Sequence, residues 1–442
     1  MKKHGIIFSI IMGVVFSFVA ITCLNHRDLE YISTWGVALL EHIHHGNLSN
    51  YAIDLFQIEY GTNYNLFQNL NVAIWCLPLY LFSQVIGVGA PMIGYQVCIK
   101  TVVAFLHVLC SRELSKVIIL LGFDRRKAQI AALLYYFSPI VMIHGMGIGQ
   151  IDCLGILFFL LSVRMLLEKR YVPMSFMMGL ALLSKFFVVI FYVPLFLLNF
   201  DRIKNTIKYA GIVISIPVID KVITNFLIDN YSLQADVHNT DSFIPRLFNW
   251  SLGYDSIILL IVLVLCGICL LIGNRGRTKK YYYLLFPSII FWLFLLLVFW
   301  HPQWFIYIFV TLLIMGCYIS NEFEYAFFYT GLVGGFTVHS LVNCNLAYFN
   351  AMLVSESLLG KYIHREQEYI GEWIINNVSK YLGNVGYTIF MASFLLLIIL
   401  FYINVIDKKK DENRINISDY IWKTIAFIPS VLYMFLIIMM YL

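Results

Sequence analysis

Two carboxylates and an arginine stand just beyond the first hydrophobic segment, in Asn25-His26-Arg27-Asp28-Leu29-Glu30-Tyr31. A carboxylate can take a proton from an attacking hydroxyl, and a neighbouring cation can steady developing negative charge. Asp28 and Glu30 are therefore candidate acid/base groups, with Arg27 a candidate anion contact; a solvated charge cluster flanking a helix reads the same way from this stretch alone. Further candidates lie in apolar surroundings. Lys185 is the one charge in the apolar stretch Met174–Asn199. Gln150 and Asp152 follow His144-Gly145-Met146-Gly147-Ile148-Gly149. Alternating glycines let a backbone approach a ligand closely, as phosphate loops do, or make a tight turn between spans. Asp152 opens an apolar run, where a charge at mid-membrane costs about 2.5–3.5 kcal/mol. His301 and Gln303 sit in Trp300-His301-Pro302-Gln303-Trp304, a minimal turn whose aromatics mark an interface.

The elements that must position these groups are membrane spans. Of 442 residues, 61% are hydrophobic and 12% charged, with a mean hydropathy of +0.81. Soluble domains carry about 25% charged residues, so the composition is that of a polytopic membrane protein. The net charge of +5 follows from where the basic loops are placed and does not point to nucleic acid. The 9 cysteines lie almost all in apolar runs and read as small hydrophobes; Cys266-x-x-Cys269, in mid-span, is neither a redox nor a zinc motif.

The run Gly5–Leu24 follows Lys2 and Lys3, has a span's length of about 20 residues, and reads as a retained span. Other candidate spans are 92–111, 128–147, 151–167, 206–226, 255–273, 281–300, 303–319, 325–345, 384–404 and 420–441. Basic loops at 112–127, 164–170, 202–208, 275–280 and 408–423 hold most of the 30 Lys and Arg, which predicts that all face the cytoplasm. Two segments then need separate treatment. Met174–Asn199 must make an even number of crossings, which predicts two short helices meeting near Ser184-Lys185 around a cavity. Asn71–Val88 must start and end outside, as an interfacial or re-entrant helix. The expected fold is thus an all-α, polytopic transmembrane helical bundle of about 11–13 spans.

In the first external loop, Ile32, Trp35, Leu39 and Ile43 fall on one helical stripe. This predicts an amphipathic helix lying on the membrane, Trp35 at headgroup level, ended by Gly46-Asn47. His42, His44 and His45 read as surface residues rather than metal ligands. Two later external loops, 227–255 and 346–383, follow; the second reads as an amphipathic surface helix around Trp373. No repeat or P-loop is present.

The pattern resembles the GT-C membrane glycosyltransferases, and more closely the prokaryotic relatives of the GPI-anchor mannosyltransferases. That family has a first span, an external D-x-D or D-x-E motif followed by an aromatic, then W…G…Y; Asp28-Leu29-Glu30-Tyr31, Trp35, Gly46 and Tyr51 match in order. Its G-Q-x-D element after S/N-P is matched by Ser138-Pro139 and Gly149-Gln150-Ile151-Asp152. Its G-L-A-L-x-x-K segment is matched by Gly179-Leu180-Ala181-Leu182-Leu183-Ser184-Lys185 with Pro194. A late His- or Gln-containing turn is matched by His301-Pro302-Gln303-Trp304. The chain departs from the family at Tyr60-Gly61-Thr62-Asn63-Tyr64, where a proline-rich element is usual.

The resemblance implies transfer of a mannose-like hexose from a polyprenyl-phosphate sugar donor to an acceptor hydroxyl on a glycan, lipid or protein, outside the plasma membrane and with inversion. Asp28 would be the base and Glu30 its helper. Lys185, Arg27 and His301 would hold the donor phosphate, and Gln150, Asp152 and Gln303 the sugar or the groups behind it. No resident cofactor is implied, and a divalent metal at Asp28/Glu30 is the less favoured reading. Residues 1–230 would form the catalytic transmembrane module and 231–442 a second one. A lipid-linked glycan transporter or flippase, or a polysaccharide polymerase or ligase, would share the many spans. A transporter would spread paired charges over several span midpoints.

Overall fold

A computed structural model describes residues 3–57, 65–185, 188–199, 203–228, 251–252, 255–297, 302–342, 357–359, 380–406 and 417–441. The described chain is helical apart from a two-residue ladder pairing Ser251–Leu252 with Asp255–Ser256. The helices are α1 (Lys3–Cys23), α2 (Arg27–His45), α3 (Tyr51–Gln57), α4 (Leu66–Ile86), α5 (Met92–Leu120), α6 (Arg125–Tyr136), α7 (Asp152–Leu167) and α8 (Tyr171–Ser184). They continue as α9 (Val189–Leu198), α10 (Ile203–Leu227), α11 (Ile257–Asn274), α12 (Tyr282–Leu297), α13 (Phe305–Gly316), α14 (Glu322–Val342), α15 (Lys380–Ile406) and α16 (Asp419–Tyr441). Each apolar run read as a span coincides with one of these or with a bent pair.

Among the described residues, five helices are long and apolar enough to cross a membrane, or up to seven if each bent pair is one span. The chain is a multi-pass membrane protein. Exposed Ile10, Val14 and Phe18 on α1 and Leu260, Leu263 and Val264 on α11 give it an outward apolar surface. At the centre lies α13, every residue of which is buried; a helix apolar all round belongs inside the bundle. Small residues bring α14 against α15. A Cβ on Gly335 would stand 2.5 Å from the Phe390 backbone nitrogen, and one on Gly331 would collide with Ser393 Oγ. Such close approach is how helices associate where no water drives them together.

Polar contacts sort the loops into two ends. At one end, Arg164 Nη1 meets Glu113 at 2.6 Å, and Lys127 Nζ donates to the Cys317 carbonyl at 2.7 Å. Arg126 pairs with Glu322 and, at 3.0 Å, with Asp419, while Trp422 Nε1 also donates to Glu322. These contacts tie α16 to α6 and α14. The basic segments 112–127 and 164–170 and the described part of 408–423 therefore share one end of the bundle, and Thr206 and Thr278, donating to the Asn199 and Leu198 carbonyls, gather 203–208 and 275–280 beside Leu166. Asp28, Gln150, Asp152 and Lys185 share the other.

Three expectations are corrected. The run 128–147 is not one straight helix. It breaks by 51° between α6 and a wide-turned π segment, Ile140–Gly147, with Ser138-Pro139 at the break; a proline removes a helical N–H and clashes with the turn before it. The glycines of that segment, and Gly149 after it, are closely packed. A Cβ on Gly145 would stand 2.5 Å from His107, on Gly147 2.8 Å from Leu24, and on Gly149 2.8 Å from Leu29. Finally, Trp35 is buried with Ile32 and Leu39 while Ile43 is exposed, so the stripe is a packing face. Tyr51 donates to the Trp35 carbonyl at 3.0 Å after Gly46, in left-handed conformation, reverses the chain. His42 is likewise buried, facing Asp54 at 3.1 Å.

The direction of α2 follows from its start. It leaves α1 at 82°. Asn71–Val88 falls largely within α4, one of the helices long enough to span. Yet α4 runs beside α2 in the same direction. A Cβ on Gly36 would meet Val72, and eight residues further along both helices the rings of His44 and Tyr80 lie 6.2 Å apart. Both are thus steeply inclined to α1.

Candidate active site

Asp28 occupies the first turn of α2, where the helix dipole favours negative charge. His26 caps this turn, its Nδ1 accepting from the Asp28 backbone N–H at 3.1 Å. The Asp28 carboxylate is held from one side: Gln150 Nε2 donates to its Oδ2 at 2.9 Å. Gly149 makes this reach possible. It adopts φ +70°, a conformation that favours glycine, and lacks the side chain that would strike Leu29.

Two residues after Gln150, Asp152 begins α7 with its side chain only 4% exposed. Its Oδ1 accepts from the Tyr307 hydroxyl at 2.8 Å and faces Lys185 Nζ at 3.4 Å. Its Oδ2 is buried and has no hydrogen-bond partner among the described residues. Gly155, one turn on, leaves room for the Tyr307 ring; a Cβ there would stand 2.9 Å from the hydroxyl. The two carboxylates differ in access, because the Asp28 side chain is 43% exposed. An incoming hydroxyl can meet Asp28, whereas Asp152 serves to hold Lys185.

Lys185 stands where the sequence places the break. α8 ends at Ser184, Lys185 is extended, and α9 begins at Val189. The carbonyls freed by this break are taken by α4. Asn65 and Gln68 form a capping box at the start of α4 through their side-chain oxygens. Their amide nitrogens donate to Leu183 O at 2.7 Å and Ser184 O at 2.5 Å. An amide carries its acceptor and its donor on separate atoms, whereas an ionised carboxylate only accepts, so a carboxylate cannot replace them. Asp220 of α10 accepts from the Phe67 N–H at 3.1 Å and completes the tie. Gln68→Glu keeps the cap but sets a carboxylate against the Ser184 carbonyl. It is expected to lower stability by about 1–3 kcal/mol, read as a lower unfolding temperature in detergent, with Asn65→Asp acting likewise.

Below Asp28, Lys100 anchors α1. Its amine, wholly buried, donates to Ile21 O at 3.4 Å and Ala20 O at 3.5 Å and also contacts Leu24 O. An amine here donates to carbonyls that a helix C-terminus leaves open. Asn25 meets Gln96 at 3.1 Å beside it, and residues 357–359 close over the same end, Leu359 N donating to Thr22 O at 3.0 Å.

Of the sequence candidates, Asp28 and Gln150 meet directly, and Asp152 and Lys185 meet directly. Glu30 is exposed on α2, and Gln303 is buried in a short turn, Pro302–Trp304, leading into α13. The Arg27 side chain and His301 lie outside the described residues, as do most of the loops 227–255 and 346–383. Sequence reasoning does not single out Tyr307, Lys100, Asn65 or Gln68. Lys100 carries the same signal as Lys185, a lone lysine in an apolar run; Tyr307 is one of 29 tyrosines and carries none. Among the described residues no three His, Cys, Asp or Glu side chains are placed to hold a metal ion. No protein-family model and no curated protein matches the chain.

Proposed function

We propose that the chain is a GT-C-type glycosyltransferase of the plasma membrane, moving a mannose-like hexose from a polyprenyl-phosphate sugar to an extracytoplasmic acceptor hydroxyl in building an envelope glycan. One observation supports the reading. Segments far apart in sequence, each resembling a motif of that family, touch one another: Asp28 with Gln150, and Asp152 with Lys185.

In this reading the basic end is cytoplasmic and the Asp28 end external. With α8 rising to Lys185 and α9 returning, 13 crossings result. The inclination of α2 and α4 to α1 suits helices lying at the outer interface, where a lipid-linked phosphate must stay because it cannot sink into hydrocarbon. Asp28 takes the acceptor hydroxyl proton as that oxygen bonds to the anomeric carbon. The bond from that carbon to phosphate breaks on the opposite face, which inverts the centre, and polyprenyl phosphate leaves with the electron pair. Gln150 fixes the carboxylate, Lys185 and Arg27 meet the departing phosphate, and His301 and Gln303 line the donor side.

The test is a comparison of envelope glycans and polyprenyl-linked sugars between cells lacking this chain and wild type. A glycan short of one sugar, with its lipid-linked donor accumulating, is expected, restored by the wild-type chain and not by Asp28→Asn. Unchanged glycans and donors would remove the proposal.

A further inference from the structure

At the basic end, the full length of α8 away from Lys185, a cavity of about 440 Å³ opens between α8, α9, α10 and the turn before α12. This is within the range of about 300–1,000 Å³ typical of small-molecule sites. Its floor is apolar and buried, with Met174 and Val213 almost fully enclosed and Leu195 beside them. Its mouth is exposed and polar, with Asn205 and Lys280. Tyr192 belongs to the lining, and its hydroxyl, buried, has no hydrogen-bond partner among the described residues. A buried hydroxyl without a partner is costly, so a ligand acceptor would stabilise it.

Charge surrounds the mouth on three segments. Lys169 and Arg170, Lys204 and Lys208, and Arg277 and Lys279 are all exposed. Glu168, the one acid among the described residues of those segments, is engaged by Arg164 at 3.6 Å and Arg170 at 3.5 Å. The rings of Tyr171 and Tyr209 lie 5.6 Å apart at the same level, as aromatics do at a membrane interface. Exposed Ile207 and Ile214 carry an apolar surface along α10. A basic pocket between membrane helices, apolar beneath and aromatic at the rim, has the chemistry of an anionic lipid site.

We propose that this cavity binds the phosphate headgroup of an anionic phospholipid from the leaflet at the basic end, with acyl chain entering along the apolar floor. Lys280 and Asn205 meet the phosphate and Tyr192 donates to an ester oxygen. A free phosphate would satisfy the mouth and leave the floor unused. The site lies apart from Asp28 and does not depend on the reaction proposed there.

Native mass spectrometry of the purified full chain tests this with three probes: dioleoyl phosphatidylglycerol, dioleoyl phosphatidylcholine and inorganic phosphate. Phosphatidylglycerol is expected to be retained over phosphatidylcholine. Lys280→Gln should weaken its retention roughly fivefold, as loss of one interfacial cation does. Tyr192→Phe, nearly isosteric, should weaken both lipids without unfolding the chain. Lys423→Gln, also at the basic end but outside the cavity, should leave binding unchanged. Equal retention of the two lipids, equal loss in Lys423→Gln, no loss in Tyr192→Phe, or displacement of lipid by inorganic phosphate would each overturn the proposal.

Discussion

Asp28→Asn is expected to slow sugar transfer by about 10²–10⁴, the usual worth of a positioned general base. The amide is nearly isosteric and can still accept from Gln150 through its oxygen, so folding and donor binding should change little. Glu30→Gln should cost much less. The Glu30 residue is exposed, and it binds within α2 through its backbone carbonyl, which accepts from the Ser33 and Thr34 hydroxyls. Gln150→Leu should fall between them, because it frees the carboxylate to rotate without removing it. Steady-state transfer by purified proteins at equal concentration checks the series. A larger loss in Glu30→Gln than in Asp28→Asn would exchange the two roles.

Lys185→Met is expected to lower both stability and turnover, since it strands the Asp152 carboxylate in a buried site. Breaking a buried pair from one side costs about 3–5 kcal/mol, whereas replacing both members is often nearly neutral. The double variant Asp152→Asn/Lys185→Met should therefore regain most of the lost stability, with Tyr307 still bonded to the amide. If Lys185 also meets the donor phosphate, the double variant should remain slow and bind donor weakly. Thermal unfolding in nanodiscs read beside donor affinity separates the two effects. Recovery of stability and turnover together would reduce Lys185 to a neutralising partner of Asp152.

Much of the fold was legible because apolar runs of membrane length have few alternatives to helix. The break at Ser184-Lys185 was legible for a related reason: a lone lysine in an apolar stretch too long for one span and too short for two. The bend at Ser138-Pro139 had its signal in the proline, while the apolar run continued past it to Gly147. Trp35 was not legible, because an apolar stripe suits either lipid or a partner helix, and only the packing of α4 along α2 decides between them. The glycines before Gln150 resemble a ligand cradle, since close approach of a phosphate and of Leu24, Leu29 or His107 asks for the same missing Cβ. Asn65-x-x-Gln68 could be read as a capping box; that its amides also hold Leu183 and Ser184 depends on a helix more than 100 residues away.

Purified protein in nanodiscs, supplied with a panel of polyprenyl-phosphate hexoses and the acceptor glycan, gives the most direct measurement. Release of polyprenyl phosphate is followed together with the anomeric configuration of the product by NMR. One donor is expected to be consumed and the product to be inverted at the anomeric carbon, with both signals vanishing in Asp28→Asn. Retained configuration, or equal release by wild type and Asp28→Asn, would contradict the assignment of Asp28 as the base of an inverting transfer.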